Sequence, residues 1–394
     1  MQQQVVFQMW RYAVRESPQA SVFMAVRPLS YDIIPTFRTL PNCDIVSGRS
    51  GHGMRVCVIG GTGHISTSIV RVLLAQGHEV TCFNRGRRSE VAPGARLVRG
   101  DRRERATFER TLQAERFDAV IDMLCFTRAD ALSSVRAYRD VPHVVQCSTV
   151  CTYGITYDGL PVTEDHPLRP LTPYGQHKAA ADATLLAASA RTGFPVTILK
   201  PSTPYGPIQG MLRQIAWEFS WIDRIRQGKP IAVCGQGNAL HQHLHVEDAA
   251  RGFAHVLGKA QCLGQTYNLV GEPPITWAAY HRTAMQVLGR EVALVGVTLA
   301  ELQAHHVPGR EICQEIFAHH TYYSAAKLRR DVPEFHPVVS LATGMRQVFA
   351  AMEREGRIPR AESEGWEDHL IARHLTPAHT GTGEVAPHGR RSVR

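Results

Sequence analysis

The sequence predicts an α/β protein built on a doubly wound parallel sheet, with a smaller C-terminal region interleaved behind it. Two observations carry that prediction. Short apolar strand segments alternate with helical segments from Arg55 to Lys200, the pattern of consecutive βαβ units. The first strand also runs straight into the first helix through Gly60-Gly61-Thr62-Gly63-His64-Ile65-Ser66, and glycines there permit a tight reversal.

The expected strands are Arg55–Ile59, Glu79–Asn84, Leu97–Arg99, Ala119–Asp122, His143–Ser148 and Val196–Lys200. Helices are expected over Ser66–Gln76, with Gly77 as the stop, and over Ala106–Glu115. Beyond Pro201 the rhythm turns irregular. A helix-like run covers Met211–Arg226, and a strand-like one Ile231–Cys234. His245-Val246-Glu247-Asp248 opens a further helix, Thr266–Val270 reads as a strand, and Trp277–Leu288 reads as a helix. The chain thus divides into a core over residues 54–202, a mainly substrate-binding region over 203–374 and a disordered tail over 375–394. Residues 1–53 show no clear period and are rich in Gln, Arg, Pro and Ser. Because Met54 opens directly into a strand, they read as a disordered extension or a misassigned start.

Of 394 residues, 44% are hydrophobic and 20% charged, the balance of an ordinary globular protein. No apolar run approaches the roughly 18 residues that cross a bilayer. The nine cysteines are scattered without a Cys-x-x-Cys pair. That argues for free thiols in a reducing cytoplasm, and against a disulfide framework or a zinc site. The net charge of +9 raises nucleic acid as a partner. Its distribution says something narrower: from Arg85 to Arg105, eight arginines stand against three carboxylates. That run reads either as a solvated face or as part of a phosphate site.

Gly60, Thr62, Gly63, His64 and Ile65 are placed to receive a pyrophosphate at the positive end of the following helix. Ser66 stands where a third glycine would allow the closest helix–strand packing. The second strand ends in Asn84-Arg85. An acidic residue there would bind an adenosine ribose diol, whereas a neutral Asn and a cationic Arg admit a 2′-phosphate. The expected cofactor is therefore NAD(P), with NADP(H) favoured over NAD(H). Asp101, followed by Arg102, is placed at the adenine.

Tyr174 and Lys178 stand four residues apart, so a helix would put both on one face. Thr149 lies upstream in a Cys-Ser-Thr run. A nearby ammonium lowers a phenol pKa from its usual value of about 10. A Tyr so tuned takes a proton from an alcohol while hydride leaves the same carbon. The spacing alone is common on exposed helices; the other motifs give it weight.

Together these segments resemble the extended short-chain dehydrogenase/reductases, the NAD-dependent epimerase/dehydratase group. The resemblance covers about Met54 to Arg373. It rests on Gly60–Ser66, Gly100-Asp101, Cys147-Ser148-Thr149 followed by Tyr153-Gly154, Tyr174-x-x-x-Lys178, Lys200-Pro201 and His245-Val246-Glu247-Asp248. The glycine turn and the Asn-Arg-Gly strand end look most like an atypical subgroup that includes chloroplast stem-loop RNA-binding proteins. The resemblance implies a Rossmann sheet and Tyr174 as general acid/base. Lys178 would hold the nicotinamide ribose and lower the Tyr174 pKa. Thr149 would hydrogen-bond the reacting oxygen, and Met123, Leu124 and Pro201 would lie along the dinucleotide. A homodimer through the helix bearing Tyr174 and Lys178 is also implied.

The pattern departs from the family in two places. Val150-Cys151 follow Thr149 where the 4,6-dehydratases carry Asp-Glu, so elimination lacks its carboxylates. Cys151 has the offset of the acid/base cysteine in GDP-mannose 3,5-epimerase-like enzymes, and reads either as a further catalytic group or as a small packing residue. His241 stands where sugar-nucleotide epimerases often carry an Arg on the substrate diphosphate, which puts a diphosphate-linked sugar in doubt. His241, His243 and His245 alternate and are expected on one face of a strand, as a polar wall or structural set and not as a metal site.

The expected function is NAD(P)-dependent epimerisation of a sugar or sugar-nucleotide-like small molecule through a transient ketone, in a cytoplasmic enzyme without membrane or nucleic-acid partners. One alternative is an NADPH-dependent reductase or dehydrogenase, which the arginine-rich strand end favours. The other is a non-enzymatic RNA-binding or dinucleotide-sensing protein, against which no RNA-reading motif is visible.

Overall fold

The computed structural model describes residues 53–86, 91–271, 273–305, 307–363 and 365–375. The expected N-terminal extension and C-terminal tail lie outside them but for Gly53 and Leu375, as do Arg87 and Arg88.

The strands are β1 (Arg55–Ile59), β2 (Glu79–Asn84), β3 (Arg96–Arg99), β4 (Ala119–Asp122), β5 (His143–Cys147), β6 (Val196–Pro201), β7 (Thr203–Tyr205), β8 (Ile231–Cys234), β9 (Leu240–His241), β10 (His243–His245), β11 (Thr266–Leu269), β12 (Ile275–Thr276) and β13 (Leu294–Val297). The helices are α1 (Ser66–Ala75), α2 (Arg105–Gln113), α3 (Arg128–Ala137), α4 (Pro173–Thr192), α5 (Ser220–Gln227), α6 (Val246–His255), α7 (Trp277–Leu288), α8 (Leu299–Ala304), α9 (Ala326–Asp331), α10 (Leu341–Arg354) and α11 (Trp366–Leu375).

Seven strands form one parallel sheet in the order β11-β6-β5-β4-β1-β2-β3. Both faces are covered, which is why its central strands are apolar throughout. Val56 and Val58 pack with α1 and α6 on one face. Cys57 and Ile59, pointing the other way, pack with α2, α3 and α4. Strand order reverses between β1 and β4, and in such sheets the crevice at the carboxyl ends of those strands is the ligand site. The expected interleaving is literal: β11 returns from the C-terminal region to pair with β6.

Two expectations need correction. The helix over Met211–Arg226 forms only as α5, Ser220–Gln227. Met211 to Ala216 are each at most 6% exposed, so the segment has no polar face to offer solvent and is held by side-chain bonds instead. Gln214 Nε2 donates to the Phe317 carbonyl at 3.2 Å and Arg213 Nη2 to that of Ala232 at 3.0 Å. The alternating histidines do not share one strand either. β9 pairs antiparallel with β12, β10 pairs parallel with β7, and Gln242 between them bonds the Tyr323 backbone through both ends of its amide. Other element limits shift by only one or two residues.

Candidate active site

The glycine turn joins β1 to α1 at the switch point. Gly60 adopts φ +86°, which a side chain would strain. A Cβ on Gly61 would lie 2.5 Å from Cys82 Sγ, so close packing of turn on sheet depends on that position. Ser66 is integral to the turn: its Oγ donates to the Gly60 carbonyl at 2.6 Å and accepts from the Gly63 amide at 2.8 Å. α1 begins without a side-chain cap and without an acidic residue in its first turn, which leaves its positive end for an anion. His64 is turned inward. Burial pushes its imidazole down to about 4, beside the Pro204 carbonyl and His245.

At the far end of this crevice, the Asn84 amide nitrogen is buried without a partner and Arg85 is exposed. An orphaned donor at the end of β2, with the Arg85 guanidinium close enough to act on Asp101, leaves polar groups where the adenosine ribose of a dinucleotide would lie. The Asp101 carboxylate is held down to about 2, chiefly by its hydrogen bond to Arg103. Arg102 departs from expectation. Its side chain is 6% exposed and bonded to Asp122 at 2.8 Å, to Ser134 at 2.7 Å and to the Asp130 carbonyl at 3.0 Å. Its guanidinium braces β4 against α3, leaving only the backbone to meet an adenine. Met123 and Leu124 follow β4, half-buried, and Leu124 packs on Gly60. Pro201 closes β6 and is buried.

Thr149 follows β5 and caps the 3₁₀ turn Val150–Tyr153, its Oγ1 accepting from the Cys151 amide at 3.2 Å. α4 starts at Pro173 after the cap Thr172, whose Oγ1 accepts from Gly175 N at 3.1 Å. Gly175 explains how helix and turn approach so closely, because a Cβ there would lie 2.7 Å from the Cys151 carbonyl oxygen. Tyr174, next to it, lies close enough to Thr149 and to the Cys151 thiol for both to act on its phenol. Thr149, Cys151, Tyr174 and Lys178 are therefore brought together.

The expected depression of the Tyr174 pKa by Lys178 is not found. Burial raises the phenol well above its usual value, and the nearby Thr149 hydroxyl offsets this only in part. Lys178, 1% exposed, gives two donors to backbone, to the Cys147 carbonyl at 2.7 Å and the Cys125 carbonyl at 2.9 Å. Its ammonium also lies 4.4 Å from the Phe126 ring, which neighbours the Tyr174 ring at 6.4 Å. Burial likewise raises the Cys151 thiol, so it stands protonated at neutral pH.

Sequence reasoning missed the polar cluster beneath these residues. Tyr174, Lys178 and Asp182 continue one face of α4 at four-residue steps, a signal that was available. Asp182 is 2% exposed and accepts from Ser148 Oγ at 2.5 Å, with Lys200 Nζ at 3.8 Å. Lys200 donates to Thr152 Oγ1 at 2.9 Å, and Thr152 donates to the Thr149 carbonyl at 2.9 Å. Both ends of the Thr149 turn are thereby tied to the helix that carries Tyr174.

The histidines serve packing. His241 is 3% exposed, with Thr203 Oγ1 at 2.5 Å on one ring nitrogen and Thr321 Oγ1 at 2.7 Å on the other. It stacks on Trp277 at 4.9 Å, and burial pushes its pKa down to about 3. His243 stacks on Tyr280 at 4.4 Å, and His245 lies edge-on to Tyr205 at 5.2 Å. Among the described residues no cluster could hold a metal ion. Trp221 and Phe219 are likewise buried in packing.

The family model for the NAD dependent epimerase/dehydratase family matches residues 56–131 and 127–269. The chain belongs to that family. Among its relatives is the 2'-dehydrokanamycin reductase of Streptomyces kanamyceticus, 30% identical over 84% of this chain and 94% of the relative. The chloroplast stem-loop binding protein of 41 kDa b of Arabidopsis thaliana is 28% identical over 57% of this chain and 60% of its own. Other relatives in the family are UDP-glucose 4-epimerases and dTDP-glucose 4,6-dehydratases. Among solved structures, the UDP-glucose-4-epimerase of Stenotrophomonas maltophila, with bound NAD, superposes with a TM-score of 0.64 at 20% identity, covering 77% of this chain and 99% of that one. The family fold, a Rossmann-type sheet, is thus the one built here.

Proposed function

We propose that this chain interconverts a secondary alcohol and a ketone on a sugar-like small molecule, using NAD(P). The observation that carries the reading is the convergence of Thr149, Tyr174 and Lys178 at the carboxyl edge of β5, facing the glycine turn across the switch point. When bound, the dinucleotide supplies or accepts hydride. Tyr174 moves the proton at the substrate oxygen, and Thr149 hydrogen-bonds that oxygen. Lys178 fixes the floor of the site between the Cys125 and Cys147 carbonyls, with one of its three donors remaining for a ribose hydroxyl. Epimerisation, the first expectation, uses the step in both directions on one carbon, and relatives that are UDP-glucose 4-epimerases support it.

Net reduction is the second reading, and two observations favour it. Burial keeps Tyr174 protonated, the form that donates to a ketone. The relative matched over 94% of its length is a reductase. On the cofactor, Asn84 and Arg85 favour NADP(H) over NAD(H). Cys151 is read as a further proton donor beside Thr149. A homodimer is supported by the exposed small residues Ala180, Ala183 and Ala187 along α4, and a reducing cytoplasm by the free state of the eight described cysteines.

Mass spectrometry of nucleotide released on denaturation separates the two readings. Stoichiometric retained NAD+ or NADP+ is expected of an epimerase cycle. A protein that is isolated empty and oxidises NADPH with an added keto-sugar is a reductase. Failure to bind either dinucleotide overturns both.

A further inference from the structure

The arginine-rich stretch from Arg85 to Arg105 divides in two once folded. Four of its described arginines are spent on carboxylates. Arg96 meets Glu115 at 2.9 Å, Arg102 meets Asp122 at 2.8 Å, Arg103 meets Asp101 at 2.5 Å and Arg105 meets Asp130 at 3.4 Å. Arg85 and Arg99 are exposed, and neither has a hydrogen bond or an ion pair among the described residues.

These two meet at the edge of the sheet. β2 and β3 end level, with Asn84 opposite Arg99 and the Gly100 amide donating to the Asn84 carbonyl at 3.0 Å. The chain leaves β2 through Arg85 and then Gly86, which adopts φ +69°. The Arg99 side chain lies across that glycine: a Cβ on Gly86 would stand 3.2 Å from Arg99 Nε, 3.4 Å from its Cδ and 3.6 Å from its Cγ. Arg99 thus reaches from the third strand to the residue that follows Arg85. We infer that Arg99 and Arg85 are the two arms of a clamp for the 2′-phosphate of NADP(H), each strand end supplying one guanidinium. This rests on the NADP(H) reading above and adds to it a residue from a different strand.

Two cations at neighbouring positions repel unless an anion joins them. A phosphate monoester carries about −1.5 to −2 charges at pH 7 and three acceptor oxygens, and a guanidinium binds it through two parallel donors. A ribose hydroxyl offers the arms no charge. The Asn84 amide nitrogen, buried without a partner, adds a neutral donor where an acidic residue would repel the phosphate. Asp101 also acts on Arg85, but its carboxylate is taken by Nε and Nη2 of Arg103. Gly86 keeps the space that Arg99 crosses, since any side chain there would meet it in a strained turn.

Fluorescence titration of the full chain with NADPH and NADH at low ionic strength tests this. NADPH is expected to bind about tenfold tighter than NADH. Arg99→Ala should weaken NADPH about tenfold, the scale of a hydrogen bond to a charged group, and leave NADH within about twofold, which also reports that the fold is kept. Arg85→Ala should do the same. Arg99→Lys keeps the charge without the fork and should recover part of the loss. Arg110→Ala removes an exposed arginine on α2 and should change neither cofactor. Adenosine 2′,5′-bisphosphate against 5′-AMP should repeat the pattern without the nicotinamide. An NADPH preference that survives Arg99→Ala, that falls only because both cofactors weaken alike, or that falls as far in Arg110→Ala overturns the clamp and spares the NADP(H) reading. Equal binding of NADH and NADPH by the unaltered chain overturns both. Selective NADPH binding that Arg99→Ala abolishes, without turnover of any keto-sugar, sinks the alcohol–ketone reading and leaves the clamp standing.

Discussion

The half built on the seven-stranded sheet and the C-terminal half bury polar groups by different means. On the sheet side, a charged pair is taken inside and bonded at both Nη atoms of the guanidinium: Arg102 meets Asp122, Ser134 and the Asp130 carbonyl within 3.0 Å. At the edge of that half, Asn84 keeps one donor free. On the substrate side, His241, His243 and His281 are kept neutral against Trp277, Tyr280 and Trp221, and burial lowers the pKa of all three. The first half is rigid scaffold with a few spare donors for a fixed, anionic cofactor. The second holds its buried histidines neutral by aromatic packing. The contrast teaches that a buried polar group can be kept either by pairing its charge or by removing it: Arg102 stays a cation beside Asp122, whereas His241 is held neutral between two threonines and a tryptophan.

The largest test lies where the halves meet. Tyr174→Phe should lower kcat by about 10²–10⁴, the span of general acid catalysis, while dinucleotide affinity stays within a few-fold; single-turnover hydride transfer and a fluorescence titration measure the two. A matching loss of dinucleotide affinity would break the division drawn here. Next, Arg102→Ala strands Asp122 in the core, 1% exposed. Unfolding in urea should show a loss of about 3–5 kcal/mol, as for other broken buried pairs, and a loss under 1 kcal/mol would return Arg102 to the cofactor.

Gly175→Ala sharpens the comparison without touching substrate. The new Cβ meets the Cys151 carbonyl at 2.7 Å and should push α4 from the Thr149 turn. A displacement near 1 Å costs on the order of 10²-fold in rate, so kcat should fall with dinucleotide binding intact.

The smallest effect is on pH. An unfolded histidine takes up a proton near its usual 6.5, whereas His143 resists until about 4 and His241 until about 3. Between those limits the unfolded chain binds more protons. Stability therefore falls as pH falls below 6.5, by about 1.4 kcal/mol per unit for each such histidine, and is unaffected by them above pH 7. His143→Gln should remove one histidine's share of that slope in urea midpoints measured from pH 7 to 5; an unchanged slope would mean His143 titrates normally.

Much of this was legible in the chain because it is local. A strand, a glycine turn and a helix follow one another within β1 and α1, so hydrogen bonding and sterics over a few residues fix them. Four-residue spacing put Tyr174 and Lys178 on one helix face, and the departure at His241 could be read from its position alone. Short apolar segments alternating with helical ones set the βαβ order. What needed the tertiary structure depends on burial and on pairs distant in sequence. Only packing raised Tyr174 instead of lowering it, because desolvation depends on what surrounds the phenol. Only the sheet brought Arg102 to Asp122, and Lys200 to Asp182 and Thr152. Only the fold of the C-terminal region broke the histidine run into two strands and seated His241 between Thr203 and Thr321, neighbours that no sequence periodicity connects.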